Sequence, residues 1–179
     1  CPVTNVKDGN GVSVWYYENG QKKLEGNYKD GKTVTTVAWK PNGEKCPVTN
    51  VVNGNGVVVD YHEDGQKESE GNYKDGKQHG LWTWWHENGQ KESERNYKDG
   101  WEDGLWIIYF HDGTEKSRET YKDGERVSST EYYFNGQKQW ESTYKDGKVM
   151  TIVSWKPNGE KCPVTNVVNG NGVVVWYSN

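Results

Sequence analysis

Residues 70–90 read EGNYKDGKQHGLWTWWHENGQ, and this stretch contains both kinds of turn found along the chain. One turn follows a YKDG pattern and the other an NGQ pattern, with glycines at Gly76 and Gly89. Asn-Gly and Asp-Gly are strong hairpin signals, because a type I′ turn needs positive φ at both central residues. The segment between the two turns is rich in Trp and Thr, which predicts a β-strand rather than a helix.

The same two turns alternate along all 179 residues. The NG-type glycines are Gly20, Gly43, Gly65, Gly89, Gly113, Gly136 and Gly159. The DG-type glycines are Gly9, Gly31, Gly54, Gly76, Gly100, Gly124, Gly147 and Gly170. These spacings leave strands of about eight to ten residues. The sequence therefore predicts one continuous all-β array over residues 1–179, a repeat of antiparallel β-hairpins with about sixteen strands and a period of about 23 residues. We expect an elongated, twisted, single-layer meander sheet.

Composition restricts the protein class. Hydrophobic residues make up 31% of the chain, yet it contains 10 Trp and 12 Tyr. So few aliphatic side chains argue against one large compact core, and so many aromatics argue against disorder. No apolar run approaches the roughly 18 residues that a membrane-spanning helix needs. The net charge of −4 argues against a nucleic-acid partner, because such binding depends on clustered Lys and Arg.

The strands that precede NG-type turns carry an aromatic residue four positions before the glycine. This structural aromatic ladder comprises Tyr16, Trp39, Tyr61, Trp85, Tyr109, Tyr132 and Trp155. Residues six and eight positions before the glycine are mostly Val or Thr and share that face, since side chains alternate along a strand. The residues of the opposite face vary more from repeat to repeat, and this face is expected to be partly exposed to solvent. It contains an apolar patch of Trp82, Trp84, Trp106 and Ile108. This patch is interpreted either as a cover over the middle of the sheet or as a candidate binding face.

Residues 70–90 also resemble a known family. Their pattern G-x-Y-x-D-G-K-x-x-G-x-W, followed by Trp and an NGQK turn, resembles a MORN repeat, specifically the bacterial YwqK-type antitoxin-component variant. Residues 66–111 match that pattern best. The resemblance implies β-hairpin arrays used as scaffolds and binding surfaces, and it implies no catalytic residues.

A longer repeat places the cysteines. Residues 39–59 and 155–175 both read WKPNGEKCPVTNVVNGNGVVV, and CPVTNV also opens the chain. Cys1, Cys46 and Cys162 therefore occupy equivalent positions. In a regular array the first two would lie about 19 Å apart and the last two about 48 Å apart. A disulfide needs Cα atoms within about 7 Å. The three residues are thus interpreted as small strand residues, or alternatively as interchain thiols.

The sequence contains no recognisable catalytic, metal or cofactor site. His62 and His86 are two strands apart, about 9.6 Å, which is too far to share a zinc ion. The Asp residues of the DG turns are explained by turn formation, although a row of calcium ligands is an alternative. An enzyme needs one exceptional site, and regular repetition argues against one. The protein is therefore predicted not to be an enzyme.

Three functions stay open. The first is a structural protein that self-assembles end to end into a filament or surface scaffold, because its predicted first and last strands are complementary and uncapped. On this interpretation the chain is a segment or processed form of a β-hairpin array, with uncapped ends. The second is a binding module whose aromatic face takes a glycan, a cell-wall polymer or a protein partner. The third is an antitoxin-like protein partner. The expected location is extracellular or at a bacterial cell surface, with the cytoplasm as the alternative.

Overall fold

A computed structural model describes residues 3–177 of the chain, and within this range the protein is all-β with no helix. The strands run as follows: β1 Val3–Lys7, β2 Asn10–Tyr16, β3 Lys22–Lys29, β4 Lys32–Ala38, β5 Asn50–Val52, β6 Asn55–Tyr61, β7 Lys67–Lys74, β8 Lys77–Trp85, β9 Lys91–Lys98, β10 Trp101–Tyr109, β11 Glu115–Lys122, β12 Glu125–Tyr132, β13 Lys138–Lys145, β14 Lys148–Ser154, β15 Asn166–Val168 and β16 Asn171–Val173. Nothing in the described range is a helix long and apolar enough to cross a membrane.

The strands form one open antiparallel sheet in chain order, from β1 to β16. This confirms the predicted hairpin meander and its strand number for the described residues. Contacts along the chain define two compact units. Residues 1–91 and 97–101 form unit 1, and residues 92–96 and 102–179 form unit 2. Whether the array acts as a single domain stays a prediction.

The DG-type turns have the predicted backbone. Both central residues have positive φ at each of the eight turns, for example 51° at Asp75 and 76° at Gly76. This is the type I′ geometry, whose twist matches the twist of the flanking strands. Backbone hydrogen bonds also connect successive turns in unit 1, because the Gly76 amide donates to the Gly54 carbonyl at 2.8 Å.

The NG-type turns differ from the prediction. Only the glycine has positive φ, as at Gly20, where φ is 83°. The Gly20 amide donates to the Tyr17 carbonyl at 3.0 Å, and the Tyr17 amide donates to the Gln21 carbonyl at 2.8 Å. The Asn19 side chain accepts a hydrogen bond from the Gln21 amide at 2.9 Å. These loops are therefore type I turns followed by a left-handed glycine, the usual three-residue hairpin.

The predicted strand length of about eight to ten residues holds for β3 and for β7 to β13. It is wrong for β1, with five residues, and most of all for β5, β15 and β16, which have three residues each, whereas β2, β4, β6 and β14 have seven. Pro47 cannot donate to a ladder, and the Thr49 side chain takes over part of that role in unit 1. Its Oγ1 accepts from the Val59 amide at 2.9 Å and donates to the Val59 carbonyl at 2.8 Å. In unit 2, Thr165 accepts from the Val175 amide at 3.0 Å in the same way.

Burial also differs from the prediction. Several of the most buried side chains lie on the face that was expected to be partly exposed to solvent. They stand five and seven positions before the NG-type glycine. They include Ser13, Ala38, Trp82, Ser129 and Ser154. Most are small, and larger neighbours cover such residues, as the Trp82 ring covers Gly71. Because these residues are small and several are polar, the hydrophobicity pattern did not predict that this face is buried.

The predicted aromatic ladder is half-buried at most of its positions, although Tyr61 is buried and Tyr16 is exposed. Lysine ammonium groups approach several of its rings. Lys22 Nζ lies 5.3 Å from the Trp39 ring centre, and Lys138 Nζ lies 5.5 Å from that of Trp155. Cation–π contacts therefore contribute to this row alongside packing.

A buried tyrosine just before the NG-type turn connects successive hairpins. In unit 1, Tyr17 Oη donates to the Trp39 carbonyl at 2.7 Å. In unit 2, Tyr133 Oη donates to the Trp155 carbonyl at 2.8 Å. His62 Nε2 lies 2.7 Å from the Trp85 carbonyl at the equivalent position, so an imidazole can replace the phenol.

Tyr17→Phe and Tyr133→Phe are each expected to lower the free energy of unfolding by about 1 kcal/mol, because each leaves a half-buried carbonyl without this donor. Urea denaturation measures the change. Tyr16→Phe is the matched control, since Tyr16 is exposed and is expected to leave stability unchanged. Equal losses in Tyr16→Phe and Tyr17→Phe would contradict the role of the hydroxyl group.

Candidate ligand-binding clefts

The predicted binding patch is divided between the two units. Trp82 and Trp84 belong to unit 1, whereas Trp106 and Ile108 belong to unit 2. Trp82 is only 5% exposed, stacks on Trp84 at 5.8 Å and meets Tyr73 edge-on at 5.4 Å. Its Nε1 donates to the Asn72 carbonyl at 3.1 Å. Trp82 is therefore a core residue of unit 1, and the role predicted for the patch as a whole stays a prediction.

In unit 2, Trp106 and Ile108 are half-buried. The Trp106 ring lies 4.7 Å from the Tyr121 ring and 4.6 Å from the Arg95 guanidinium carbon. Arg95 stands at the repeat position that Gly71 occupies in the preceding hairpin. Trp106 thus covers an arginine where Trp82 covers a glycine, so these rings are used within their own units.

The proposed thiols lie inside the protein. Cys46 and Cys162 are each 1% exposed, and Cys1 lies outside the described residues. Cys46 Sγ lies 3.3 Å from Tyr61 Oη, and Cys162 Sγ lies 3.3 Å from Tyr177 Oη. Hydrogen bonds from Tyr177 and Thr165 lower the pKa of Cys162 to about 6. In this structure neither described thiol is presented to a second chain.

A cleft of about 460 Å³ opens in unit 1 on the same face of the sheet as Trp82 and Trp84. We call it the Trp15 cleft, after its most exposed aromatic side chain. Its lining consists of Trp15, Tyr16, Lys23, Leu24, Asp60, Glu63 and Glu68. Trp15 is 47% exposed and pairs across the strands with Leu24, which pairs in turn with Ala38.

Lys23 lies between two of the three carboxylates in the lining of the Trp15 cleft. Lys23 forms an ion pair with Glu68 and lies 3.9 Å from Asp60 Oδ2. Glu63 Oε1 accepts a hydrogen bond from the Glu18 amide at 2.9 Å, which fixes its carboxylate at the rim. The lining of the cleft thus holds three carboxylates and one ammonium group, so the cleft favours a cationic ligand.

Asp60 is the unusual titrating group of this cleft. The pKa of its carboxyl group is raised to about 6, because burial and the nearby Glu68 raise it by more than Lys23 and the hydrogen bond from the Tyr61 amide lower it. The carboxyl group therefore titrates within the physiological range. The net charge of the Trp15 cleft therefore becomes more negative as the pH rises through about 6.

Part of this site was visible in the sequence. Trp15 and Asp60 both occupy the position five residues before the NG-type glycine, the row that the sequence identified as variable. The variability of this row, which also contains Trp84 and Glu131, is the available signal, and it does not single out Trp15 and Asp60. Their grouping with Lys23 and Glu68 depends on strand β3 lying near β6 and β7, which the sequence pattern alone did not specify.

Three segments of the chain match the family model described as MORN repeat variant, namely residues 10–30, 55–75 and 78–99. They cover about a third of the chain, and each contains two strands joined by an NG-type turn. The matches include residues 10–30, outside the region of strongest resemblance expected from the sequence, and they end before residue 111. A comparison with curated proteins finds no match. Repeats of this kind indicate a repeat-based binding or structural module, and the three matched hairpins are similar to the MORN repeat variant.

Proposed function

We propose that the protein is a non-enzymatic binding module that holds a basic segment of a protein partner in the Trp15 cleft. The observation that carries this proposal is the combination of one exposed indole with three carboxylates and a single lysine in one cleft. An ammonium or guanidinium group is attracted both by carboxylates and by the face of an indole ring.

The geometry of the cleft supports a docking role over a catalytic one. Lys23 is paired with Glu68, and the Glu63 carboxylate is held by a backbone amide. These contacts orient the charges before a ligand arrives, which lowers the entropic cost of binding. The three matched hairpins agree with a repeat-based module of this kind.

Decalysine is a suitable probe, because it presents ammonium groups without a defined fold. We expect isothermal titration calorimetry to detect binding that weakens as salt is added, since salt screens exposed charges. Trp15→Ala is expected to weaken binding by about tenfold or more, as expected for an aromatic anchor at an interface.

Glu63→Gln is expected to weaken decalysine binding by about threefold, a typical effect for one exposed charge, because glutamine keeps the hydrogen bond from Glu18 but removes the charge. Glu44→Gln is the matched control, since Glu44 is exposed, bonds to Asn42 and lies outside the cleft. Absence of decalysine binding, or equal weakening by Glu44→Gln, would refute the proposal.

End-to-end self-assembly and an antitoxin-like role stay predictions from the sequence. End-to-end self-assembly does not depend on the Trp15 cleft. An antitoxin-like role is one form of binding to a protein partner, and the cleft is not evidence for that form in particular. A location outside the cell likewise stays a prediction.

A further inference from the structure

A second cleft in unit 1 lies at the edge of the sheet formed by the DG-type turns. It measures about 480 Å³, and we call it the Trp101 cleft. Its lining consists of Tyr73, Gly76, Lys77, Gln78, Asp99, Gly100 and Trp101. Its distinguishing residue is Trp101, the first residue of β10. This cleft shares no residue with the Trp15 cleft.

Trp101 breaks the repeat. At the equivalent position, directly after the turn glycine, the other DG-type turns carry a polar or charged residue: Asn10, Lys32, Asn55, Lys77, Glu125, Lys148 and Asn171. Trp101 is also 62% exposed, the highest value among the exposed large hydrophobic residues of the described chain. An indole exposed to this degree in a polar row adds little to packing, and most of its apolar surface is available to a ligand.

The turn before Trp101 is held in place. The Gly100 amide donates to the Gln78 carbonyl at 2.9 Å, which fixes the turn to strand β8. The aliphatic part of Lys77 lies against Gly100, because a side-chain carbon added to Gly100 would meet Lys77 Cβ and Cδ at 3.4 Å. The backbone at the start of β10, from which the Trp101 side chain extends, is therefore positioned before a ligand binds.

The polar groups around the indole suit a neutral ligand. Lys77 and Asp99 contribute one charge of each sign, and the Gln78 side chain adds an amide that can donate and accept. The Asp99 carboxylate is 64% exposed and lies 3.6 Å from His79 Nδ1. Opposite charges give the cleft no net attraction for an ion, in contrast to the Trp15 cleft.

We propose that the Trp101 cleft is a subsite for one ring of a neutral saccharide. A pyranose ring has an apolar face of C–H groups that can stack on an indole, and a rim of hydroxyl groups that can bond to Asp99, Gln78 and Lys77. The volume of the cleft falls within the range of small-molecule sites. The basic partner of the Trp15 cleft is not needed for this binding.

The test is isothermal titration calorimetry with maltohexaose, cellohexaose and chitohexaose, together with adenosine as a flat aromatic probe. At least one hexasaccharide is expected to bind with a Kd of about 1 mM or tighter, equivalent to about −4 kcal/mol. Trp101→Ala is expected to weaken that binding at least tenfold, and Trp101→Tyr is expected to retain most of it because a ring remains. Both variants should keep the wild-type melting temperature, since the side chain is exposed.

Trp15→Ala is the matched control, because it removes an exposed indole from the other cleft. It is expected to leave saccharide binding unchanged, and Trp101→Ala is expected to leave decalysine binding unchanged. The proposal is overturned by absence of binding to all three hexasaccharides, by equal binding to wild type and Trp101→Ala, or by binding of adenosine alone. Because the two variants act on different probes, failure here is distinguishable from failure of the proposed function.

Discussion

Gly71→Ala is expected to lower the free energy of unfolding by about 3 kcal/mol, the upper part of the usual range for an overpacked core. A side-chain carbon at Gly71 would lie 2.0 Å from Trp82 Cδ2 and 2.3 Å from Trp82 Cε2. The ring cannot stay in place at those distances, and moving it breaks its contacts with Tyr73 and Trp84. Urea denaturation followed by circular dichroism measures the loss.

Gly26→Ala is the matched control, because Gly26 occupies the same position in an earlier hairpin. There the new carbon would meet the Tyr28 hydroxyl group at 2.9 Å, the far end of a side chain that can move. A change within about 1 kcal/mol is expected, since removing a glycine also restricts the unfolded chain.

A double-mutant cycle identifies the cause. Thr36 lies opposite Gly26, so Trp82→Thr gives Gly71 a comparably small neighbour. In the Trp82→Thr background, Gly71→Ala is expected to cost less than about 1 kcal/mol, because the ring that it displaces is gone. The same loss in both backgrounds would show that contact with Trp82 is not the reason.

Asp60→Asn is expected to stabilise the protein at neutral pH and to remove a pH dependence of the wild type. The folded pKa of Asp60 is about 6, compared with 3.8 for an unperturbed aspartate. Because the folded state binds this proton more tightly, its contribution is fully present below pH 3.8 and is lost as the pH rises through 6. The shift corresponds to about 3 kcal/mol between the two limits, an order-of-magnitude value for a side chain that is 18% exposed.

The measurement is urea denaturation of wild type and variant at about pH 4 and about pH 8, compared as a difference so that other titrating groups cancel. Asparagine keeps an oxygen that can accept from the Tyr61 amide, and Lys23 keeps its ion pair with Glu68. The exposed Asp64→Asn variant is the control with the opposite sign. Hydrogen bonds from Gln66 lower the pKa of Asp64, so its contribution is lost as the pH falls. A difference between wild type and Asp60→Asn that does not change with pH would exclude the raised pKa of Asp60.

Much of the fold followed from local sequence, and the reason is conformational. Asp75 and Gly76 can both adopt positive φ at low cost, so an Asp-Gly or Asn-Gly pair between strand-forming segments predicts a tight hairpin turn, although Asp64-Gly65 shows that the pair alone does not fix the turn type. Eight such turns, alternating with NG-type loops, leave an antiparallel meander as the simplest connection. The type I geometry of the NG loops was missed, because an Asn-Gly pair is compatible with several hairpin loops.

The binding sites followed less directly. The sequence showed that the repeat row of Trp15 and Asp60 is variable, but the pattern did not show that Trp82 is buried or that Lys23 lies beside Asp60. Burial of one sheet face depends on how large side chains cover small ones from neighbouring strands, as Trp82 covers Gly71. A period of two identifies the faces of a strand without stating which face is covered.

The sequence by itself determined the positions of the turns, the strand order and the repeat, because each depends on backbone preferences of residues close together in the chain. Tertiary structure decided the short strands after Pro47 and Pro163, the burial of Cys46 and Cys162, and the assembly of both clefts. These features depend on contacts between residues of different hairpins. The energies of such contacts depend on distance and burial, which appear only when the strands are placed side by side.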